Sequence, residues 1–227
     1  MFMELRFIYI VSNLIFFLPF WLVFFIRRPN VRKKMLLLSF LGGIAGPLSE
    51  YWYHQDYWRP QTVLDTPVGI EDFLFGFLFA GVACGSYQFF FQKNYRSSKT
   101  NMHTLLRLFS ILFIALGLVA VLFFLGFNSI YASIITCIVL LTFILYQRKD
   151  LFLSSLFSGF FCTGIFVVMY QILFLFFPNL FEKWWMLDNL SGVQLLSIPL
   201  EELAWAFFAG GAIGIVYEFA AKLRYDK

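Results

Sequence analysis

The sequence alternates between long apolar stretches and short polar segments, and this pattern predicts a bundle of membrane-spanning helices. The hydrocarbon core of a bilayer is about 30 Å thick, so a helix needs about 20 apolar residues to cross it. Seven stretches meet this requirement: residues 7–26, 35–53, 69–92, 105–127, 129–146, 151–177 and 199–221. We therefore expect an all-α transmembrane protein, a seven-helix bundle that forms a single domain over residues 1–227.

The composition supports this interpretation. Hydrophobic residues make up 61 % of the chain, charged residues 13 %, and the mean hydropathy is +0.79. An average soluble domain has about 25 % charged residues, so the sequence excludes a water-soluble enzyme and a disordered chain, which both need more polar surface. Cys84, Cys137 and Cys162 lie inside apolar stretches without paired spacing. We expect neither a disulfide framework nor a metal site.

Basic residues predict the orientation, because they concentrate in the cytoplasmic loops of membrane proteins. A basic cluster within residues 27–34 follows the first span and places that loop inside. Most later basic residues then fall on the same side, and only Arg59 and Lys183 fall outside. Those inside are Lys93, Arg96, Lys99, Arg107, Arg148, Lys149, Lys222, Arg224 and Lys227. We expect a multi-pass protein of the cell membrane with its N-terminus outside and its C-terminus inside. Since these residues fit the topology and anionic lipid, membrane lipid is an expected partner and nucleic acid is not.

Acidic residues collect at the opposite, outer face. Asp150, Glu218 and Asp226 fall near the inner face, and the other ten fall at or near the outer one: Glu4, Glu50, Asp56, Asp65, Glu71, Asp72, Glu182, Asp188, Glu201 and Glu202. The rule that governs basic residues does not require this, because acidic residues contribute little to topology. The outer end of the bundle is therefore the first place to look for a functional site.

An internal repeat relates the two halves of the chain. A shift of 130 residues superposes Glu71-Asp72 on Glu201-Glu202, and Tyr87-Gln88-Phe89 on Tyr217-Glu218-Phe219. We expect two parallel three-helix repeats, residues 1–92 (spans 1–3) and 129–221 (spans 5–7), joined by a linking span at 105–127. An axis along the membrane normal would relate them and bring the two acidic pairs to the same depth.

The acidic pairs allow two interpretations. Acidic residues in the first turn of a helix stabilise its positive end, and Pro67 and Pro199 just upstream favour a helix start. Alternatively, ionisable residues at the membrane boundary donate and accept protons. Adjacent helical residues point about 100° apart. We therefore expect Glu71 and Glu201 to share one role, and Asp72 and Glu202 another. These four residues are the candidate catalytic groups.

Aromatic residues surround these acids. Tyr51, Trp52, Tyr53, Tyr57 and Trp58 precede the first pair, and Trp184 and Trp185 precede the second. They fit an interfacial aromatic belt or a cavity wall that stabilises a cation. The candidate substrate-binding residues are Trp58, Trp184, Trp185, Glu50, Phe75 and Trp205.

The two motifs resemble those of the integral-membrane, flavin-independent lycopene cyclases, a family found as two small subunits or as one fused chain. The residues that carry the resemblance are Ser197-Ile198-Pro199-Leu200-Glu201-Glu202, Thr66 to Phe75, and the aromatic segment Asp56-Tyr57-Trp58-Arg59-Pro60. One departure is Gly69, which stands where the family's motif has proline.

The resemblance implies a linear, lipid-soluble polyene such as lycopene as substrate and a cyclisation without redox change or cofactor. A carboxylic acid, Glu201 or Glu71, would protonate the terminal double bond. A base, Glu202 or Asp72, would remove a proton after ring closure, while Trp58, Trp184 or Trp185 stabilised the cation. One shared site and two half-sites remain open, as do the ring type, the substrate length and the oligomeric state.

Two other functions compete with this one. A small-solute transporter could be built from parallel three-helix repeats, with a polar path along Tyr87, Gln88, Tyr217 and Glu218. A non-catalytic membrane subunit is the other alternative. A retinal photoreceptor is excluded because the seventh span lacks the required lysine.

Overall fold

A computed structural model describes residues 5–93 and 102–224, and the chain folds almost entirely into helices. The helices are α1 (Leu5–Arg27), α2 (Arg32–Asp56), α3 (Ile70–Phe90), α4 (Met102–Phe124), α5 (Ser129–Gln147), α6 (Phe152–Phe176), the short α7 (Leu180–Trp184) and α8 (Leu200–Ala220). One turn of α1, Asn13–Phe17, is π-helical. A small hairpin, β1 (Gln194–Leu195) with β2 (Ile198–Pro199), leads into α8. The prediction of an all-α protein is confirmed.

Six of the described helices are long and apolar enough to cross a membrane: α1, α3, α4, α5, the segment Lys149–Phe176 that contains α6, and α8. The other two described helices do not qualify: α7 has only five residues, and α2, which coincides with the second predicted span, is 25 residues long. Three glycines, Pro47 and Glu50 lower its hydropathy. The chain is thus a multi-pass membrane protein. The seventh span, the parallel repeat and the orientation stay predictions, and Glu4, Arg96, Lys99 and Lys227 lie outside the described residues.

Glycines let α2 and α3 approach to backbone contact. A side chain at Gly42 would meet the carbonyl oxygen of Gly76, and one at Gly46 would meet the carbonyl oxygen of Asp72. Small residues permit this close packing, which van der Waals contact stabilises in membranes. The approach brings the outer part of α2, with Glu50, next to the start of α3.

Glycines also allow α6 and α8 to pack closely. A Cβ atom at Gly159 would lie 2.8 Å from the carbonyl oxygen of Phe207, and one at Gly210 would lie 2.8 Å from Cys162 Cβ. Each half of the chain therefore has a 25-residue helix packed on a 21-residue helix.

The connections that precede these pairs also correspond. Short 3₁₀ turns, Pro29–Val31 and Lys149–Leu151, come directly before α2 and α6. The residues that begin them, Arg28 (φ −126°, ψ 77°) and Arg148 (φ −136°, ψ 68°), share one backbone conformation. These correspondences support the duplication that we propose.

A buried ion pair ties three helices together at the end opposite the acidic pairs. Lys34 Nζ on α2 lies 2.7 Å from Glu218 Oε1 on α8, and their side chains are 2 % and 0 % exposed. Gln88 on α3 accepts a hydrogen bond from Lys34 and donates one to Glu218. Buried charges need such partners, because desolvation is costly.

Candidate active site

The two aromatic loops that follow α2 and α7 pair with each other over the end of the bundle that carries the acidic pairs. Trp58 and Trp185 form an antiparallel bridge, flanked by hydrogen bonds from Arg59 N to Trp184 O (2.6 Å) and from Met186 N to Tyr57 O (2.8 Å). The indole rings of Trp58 and Trp185 lie 5.3 Å apart. The loops that the sequence places in corresponding positions therefore form one cover.

A cavity of about 330 Å³ lies beneath this cover and continues between the helices. This volume is within the usual range for small-molecule sites, about 300–1,000 Å³. Of the candidate residues, its lining includes Asp72, Glu202, Glu50, Phe75, Trp58, Trp184, Trp185 and Trp205. The rest of the lining is mostly aliphatic and aromatic, so carboxyl groups stand at one end of an apolar chamber.

Glu202 is surrounded by hydrogen-bond donors. The hydroxyl of Tyr57 and the indole Nε1 of Trp185 (2.6 Å) donate to its Oε1, and the Tyr170 hydroxyl donates to its Oε2 at 3.1 Å. Glu202 is only 5 % exposed. Donors stabilise the charged form of a carboxyl group, so these three offset part of the hydration that the carboxylate loses on burial.

Tyr57 lies in the loop after α2, where it is buried. Burial, and then the charge of Glu202, raise the pKa of Tyr57 well above its ordinary value of 10.0. The hydroxyl therefore keeps its proton and remains a donor to Glu202 across the physiological range.

Glu50 and Asp72 form a second acidic centre with fewer donors. Trp58 Nε1 donates to Glu50 Oε1 at 3.2 Å, while Asp72 accepts bonds from the Gly69 N–H (2.7 Å to Oδ2) and from the Tyr9 hydroxyl. The two carboxyl groups are close enough to interact electrostatically. In the described part of the chain, Glu50 Oε2 and Asp72 Oδ1 have no hydrogen-bond partner.

Glu71 and Glu201 do not line the cavity. Glu71 Oε1 accepts a hydrogen bond from Val63 N at 2.6 Å. Glu201 Oε1 accepts one from Ser191 N at 2.8 Å and one from the Tyr131 hydroxyl at 2.6 Å. Each of these carboxyl groups holds the loop that precedes its helix, so the members of each acidic pair do point in different directions.

Two residues at the site, Tyr9 and Tyr170, were not predicted from the sequence. Tyr9, on α1, lies inside an uninterrupted apolar stretch, and nothing in its local sequence connects it with Asp72. Tyr170, on α6, reads as an isolated polar residue of a span. The offset between α2 and α6 is 120 residues, and it matches Tyr170 with Glu50. Under the proposed repeat, Tyr170 therefore corresponds to Glu50.

Part of the chain is similar to one known protein family. The family model described as lycopene cyclase matches residues 128–220, which run from the start of α5 to the end of α8 and make up about two fifths of the chain. The chain matches no curated protein and no solved structure. The matched segment contains Glu201, Glu202, Trp184, Trp185 and Trp205. The match supports carotenoid cyclase activity, an enzyme of the lyase or isomerase type, and a lipid-soluble polyene substrate. Over residues 128–220, the chain is similar to the lycopene cyclase family.

Proposed function

We propose that this protein is a flavin-independent carotenoid cyclase that closes a ring at one end of a linear polyene by proton-initiated isomerisation. The observation that carries the proposal is the meeting of three buried carboxyl groups, Glu50, Asp72 and Glu202, at one end of an apolar chamber. A hydrocarbon substrate has no polar group that a protein could bind. Its cyclisation therefore requires an apolar space that contains an acid, a base and aromatic rings.

The Glu50–Asp72 centre is the proposed proton donor. Two neighbouring carboxyl groups cannot both ionise cheaply, and they commonly share one proton. Glu50 and Asp72 also have fewer donors than Glu202, so this centre holds a proton more readily. Protonation transfers it to the terminal double bond. The electron pair of that bond forms the new C–H bond, which leaves a tertiary carbocation.

Ring closure and proton loss complete the reaction. The electrons of a second double bond attack the cationic carbon and form the ring C–C bond, which moves the positive charge to a ring carbon. A base then removes an adjacent proton, and the electrons of that C–H bond restore a double bond. Atoms and electrons balance within the substrate, so the product is an isomer of it.

Glu202 is the proposed base and counter-charge for the cation. Its three donors favour the carboxylate, which is the form that both roles require. The ring faces of Trp58, Trp185 and Trp205 attract a cation in the same space. A proton gained by Glu202 must return to the Glu50–Asp72 centre before the next turnover.

Glu71 and Glu201 have a different proposed role. The sequence allowed either of them to be the acid, but their loop hydrogen bonds support a positioning role. In this proposal, they hold the segments before α3 and α8, and thereby the orientation of Asp72 and Glu202.

Expression in a lycopene-accumulating host tests the proposal, with pigments separated by chromatography. The wild type should convert lycopene into cyclic products of the same mass, and Asp72→Asn and Glu202→Gln should each reduce conversion at least a hundredfold. The matched control is Glu182→Gln, which changes an exposed glutamate of α7 and should retain activity. Unchanged lycopene beside well-expressed wild-type protein would contradict the proposal.

The transporter alternative finds little support. Gln88 and Glu218, two of its four polar residues, belong to the buried cluster with Lys34. None of Tyr87, Gln88, Tyr217 or Glu218 lines the apolar chamber. Within the described residues, the polar groups at the two ends of the bundle are separated by apolar lining rather than linked by a polar path.

A further inference from the structure

Two stripes of residues, one on α2 and one on α4, line the chamber. The α2 stripe is Leu38, Leu41, Gly42, Ala45, Gly46 and Ser49, and the α4 stripe is Leu108, Ile111, Leu112, Ala115, Leu116 and Val119. Every position of the first stripe has its counterpart seventy residues later in the second. The spacing of three and four residues places each stripe on one face of its helix.

The two stripes line the chamber from helices that are not in close contact with each other. Among the described residues, α4 packs against α5 and α8 but not closely against α2. The chamber therefore fills a gap between α2 and α4 instead of being sealed by their contact.

The middle of this gap is lined by small side chains. Ala45 and Ala115 line it together with Gly42 and Gly46 of α2, and all four are partly exposed. Ser49 contributes the one hydroxyl of the two stripes, and that hydroxyl donates to the Gly46 carbonyl oxygen at 2.6 Å. The walls thus present no charge and no free polar group to whatever lies between them.

We propose that this gap is a lateral slot through which a linear polyene reaches the acids from the lipid, and in which its unreacted length lies. The inference rests on the proposed function, because the slot ends at the proposed acid and base. From Leu38 to Ser49 the slot is about 16 Å long at 1.5 Å per residue. A narrow, uncharged, extended hydrocarbon chain is the ligand that fits such walls, whereas a solute that carries polar groups would leave them without partners.

Large side chains that fill the slot should block entry of the polyene without changing the proposed catalytic residues. The test variants are Ala45→Trp and Ala115→Trp. The matched controls are Ile44→Trp and Ile114→Trp, which place the same side chain one residue away at positions that are 51 % and 59 % exposed. Pigment conversion in the lycopene-accumulating host is one measurement. The other is the visible absorbance of lycopene that copurifies with each protein in detergent, measured in an Asp72→Asn background.

The slot predicts at least a tenfold loss of both conversion and copurified lycopene for the two test variants, with controls within twofold of their parents. Wild-type values in the test variants would overturn it. If the wild type binds lycopene without cyclising it while the test variants lose the pigment, the proposed reaction fails and the slot stands. Should neither tryptophan variant elute as a single monodisperse species, Ala115→Leu decides by the same two measurements, since α4 is the least buried of the apolar spans in the described part of the chain.

Discussion

The backbone N–H of Gly69 donates a hydrogen bond to Asp72 Oδ2 at 2.7 Å, three residues further along the chain. The corresponding residue before Glu202 is Pro199, which has no N–H to donate. Glu202 is bonded instead by side chains from other segments. The departure from the family's proline at position 69 therefore has a physical consequence, because it gives Asp72 a backbone donor.

Gly69→Pro should remove this bond and strain the segment, since Gly69 has φ −120° and proline requires about −65°. Loss of a hydrogen bond to a carboxylate costs about 1.5–3 kcal/mol. We expect a lower thermal unfolding midpoint in detergent together with reduced conversion. The reciprocal change, Pro199→Gly, should leave conversion close to wild type because Glu202 keeps its three side-chain donors. Equal effects of the two substitutions would contradict this account.

Tyr57→Phe should weaken the base site. The substitution keeps the ring but removes one donor from Glu202, at a cost of about 1.5–3 kcal/mol to the carboxylate, which corresponds to roughly a tenfold or greater loss of conversion. Tyr51→Phe is the control, because Tyr51 is 68 % exposed and lies on the same helix that leads to this loop. Full activity of Tyr57→Phe would remove Tyr57 from the site.

The raised pKa of Tyr57 also predicts a change in stability with pH. Burial favours the neutral phenol in the folded protein, whereas the unfolded chain ionises near the ordinary value of 10.0. The unfolded state therefore loses this proton first, so the contribution of Tyr57 to stability is constant below pH 10 and falls as the pH rises above it. Unfolding midpoints between pH 8 and 11.5 should fall less steeply in Tyr57→Phe than in the wild type. Parallel curves would show that Tyr57 does not titrate differently on folding.

Close packing of α2 on α3 predicts the effect of adding a single methyl group. Gly42→Ala should push α2 away from the Gly76 carbonyl, with an overpacking cost of about 1–3 kcal/mol, and should lower conversion because Glu50 moves relative to Asp72. Gly117→Ala, on α4, is the control. Nothing lies within 4 Å of a Cβ atom there, and alanine favours a helix interior over glycine by about 0.5–1 kcal/mol. Unfolding midpoints should therefore shift in opposite directions.

The buried ion pair predicts a large effect from one substitution at the other end of the bundle. Lys34→Met removes the Lys34–Glu218 pair and should cost about 3–5 kcal/mol, as breaking such pairs does elsewhere. The double variant Lys34→Met, Glu218→Leu should recover part of that loss. Lys33→Met changes an exposed neighbour and should have little effect. Additive losses in the double variant would show that the two side chains do not stabilise each other.

Helix positions were predictable from the sequence because they depend on local hydropathy. The predicted span 199–221 corresponds to α8 (Leu200–Ala220), and 151–177 corresponds to α6 (Phe152–Phe176). The second span shows the limit of this signal. Glycines bury α2 by packing it on α3, and they also lower its hydropathy, so helix packing and apolar character are separate properties here.

The sequence predicted that the members of each acidic pair would differ, since neighbouring residues on a helix face different ways. It did not predict that Asp72 and Glu202 would be the members that face the chamber. That choice depends on the rotation of α3 and α8 about their own axes, which contacts such as Gly46 with the Asp72 carbonyl determine. The pairing of Glu50 with Asp72 was also not predictable from the sequence. It depends on how α2 and α3 pack together, and no local sequence pattern indicates that packing.

Main-chain pairing between the Trp58 and Trp185 loops covers the end of the chamber that holds the acids. A molecule with a freshly formed ring would then have to back out sideways, the way it came. A symmetrical polyene could present its second end only after leaving and turning around in the bilayer. With the proposed slot we therefore expect distributive cyclisation, in which products with a single ring accumulate before those with two.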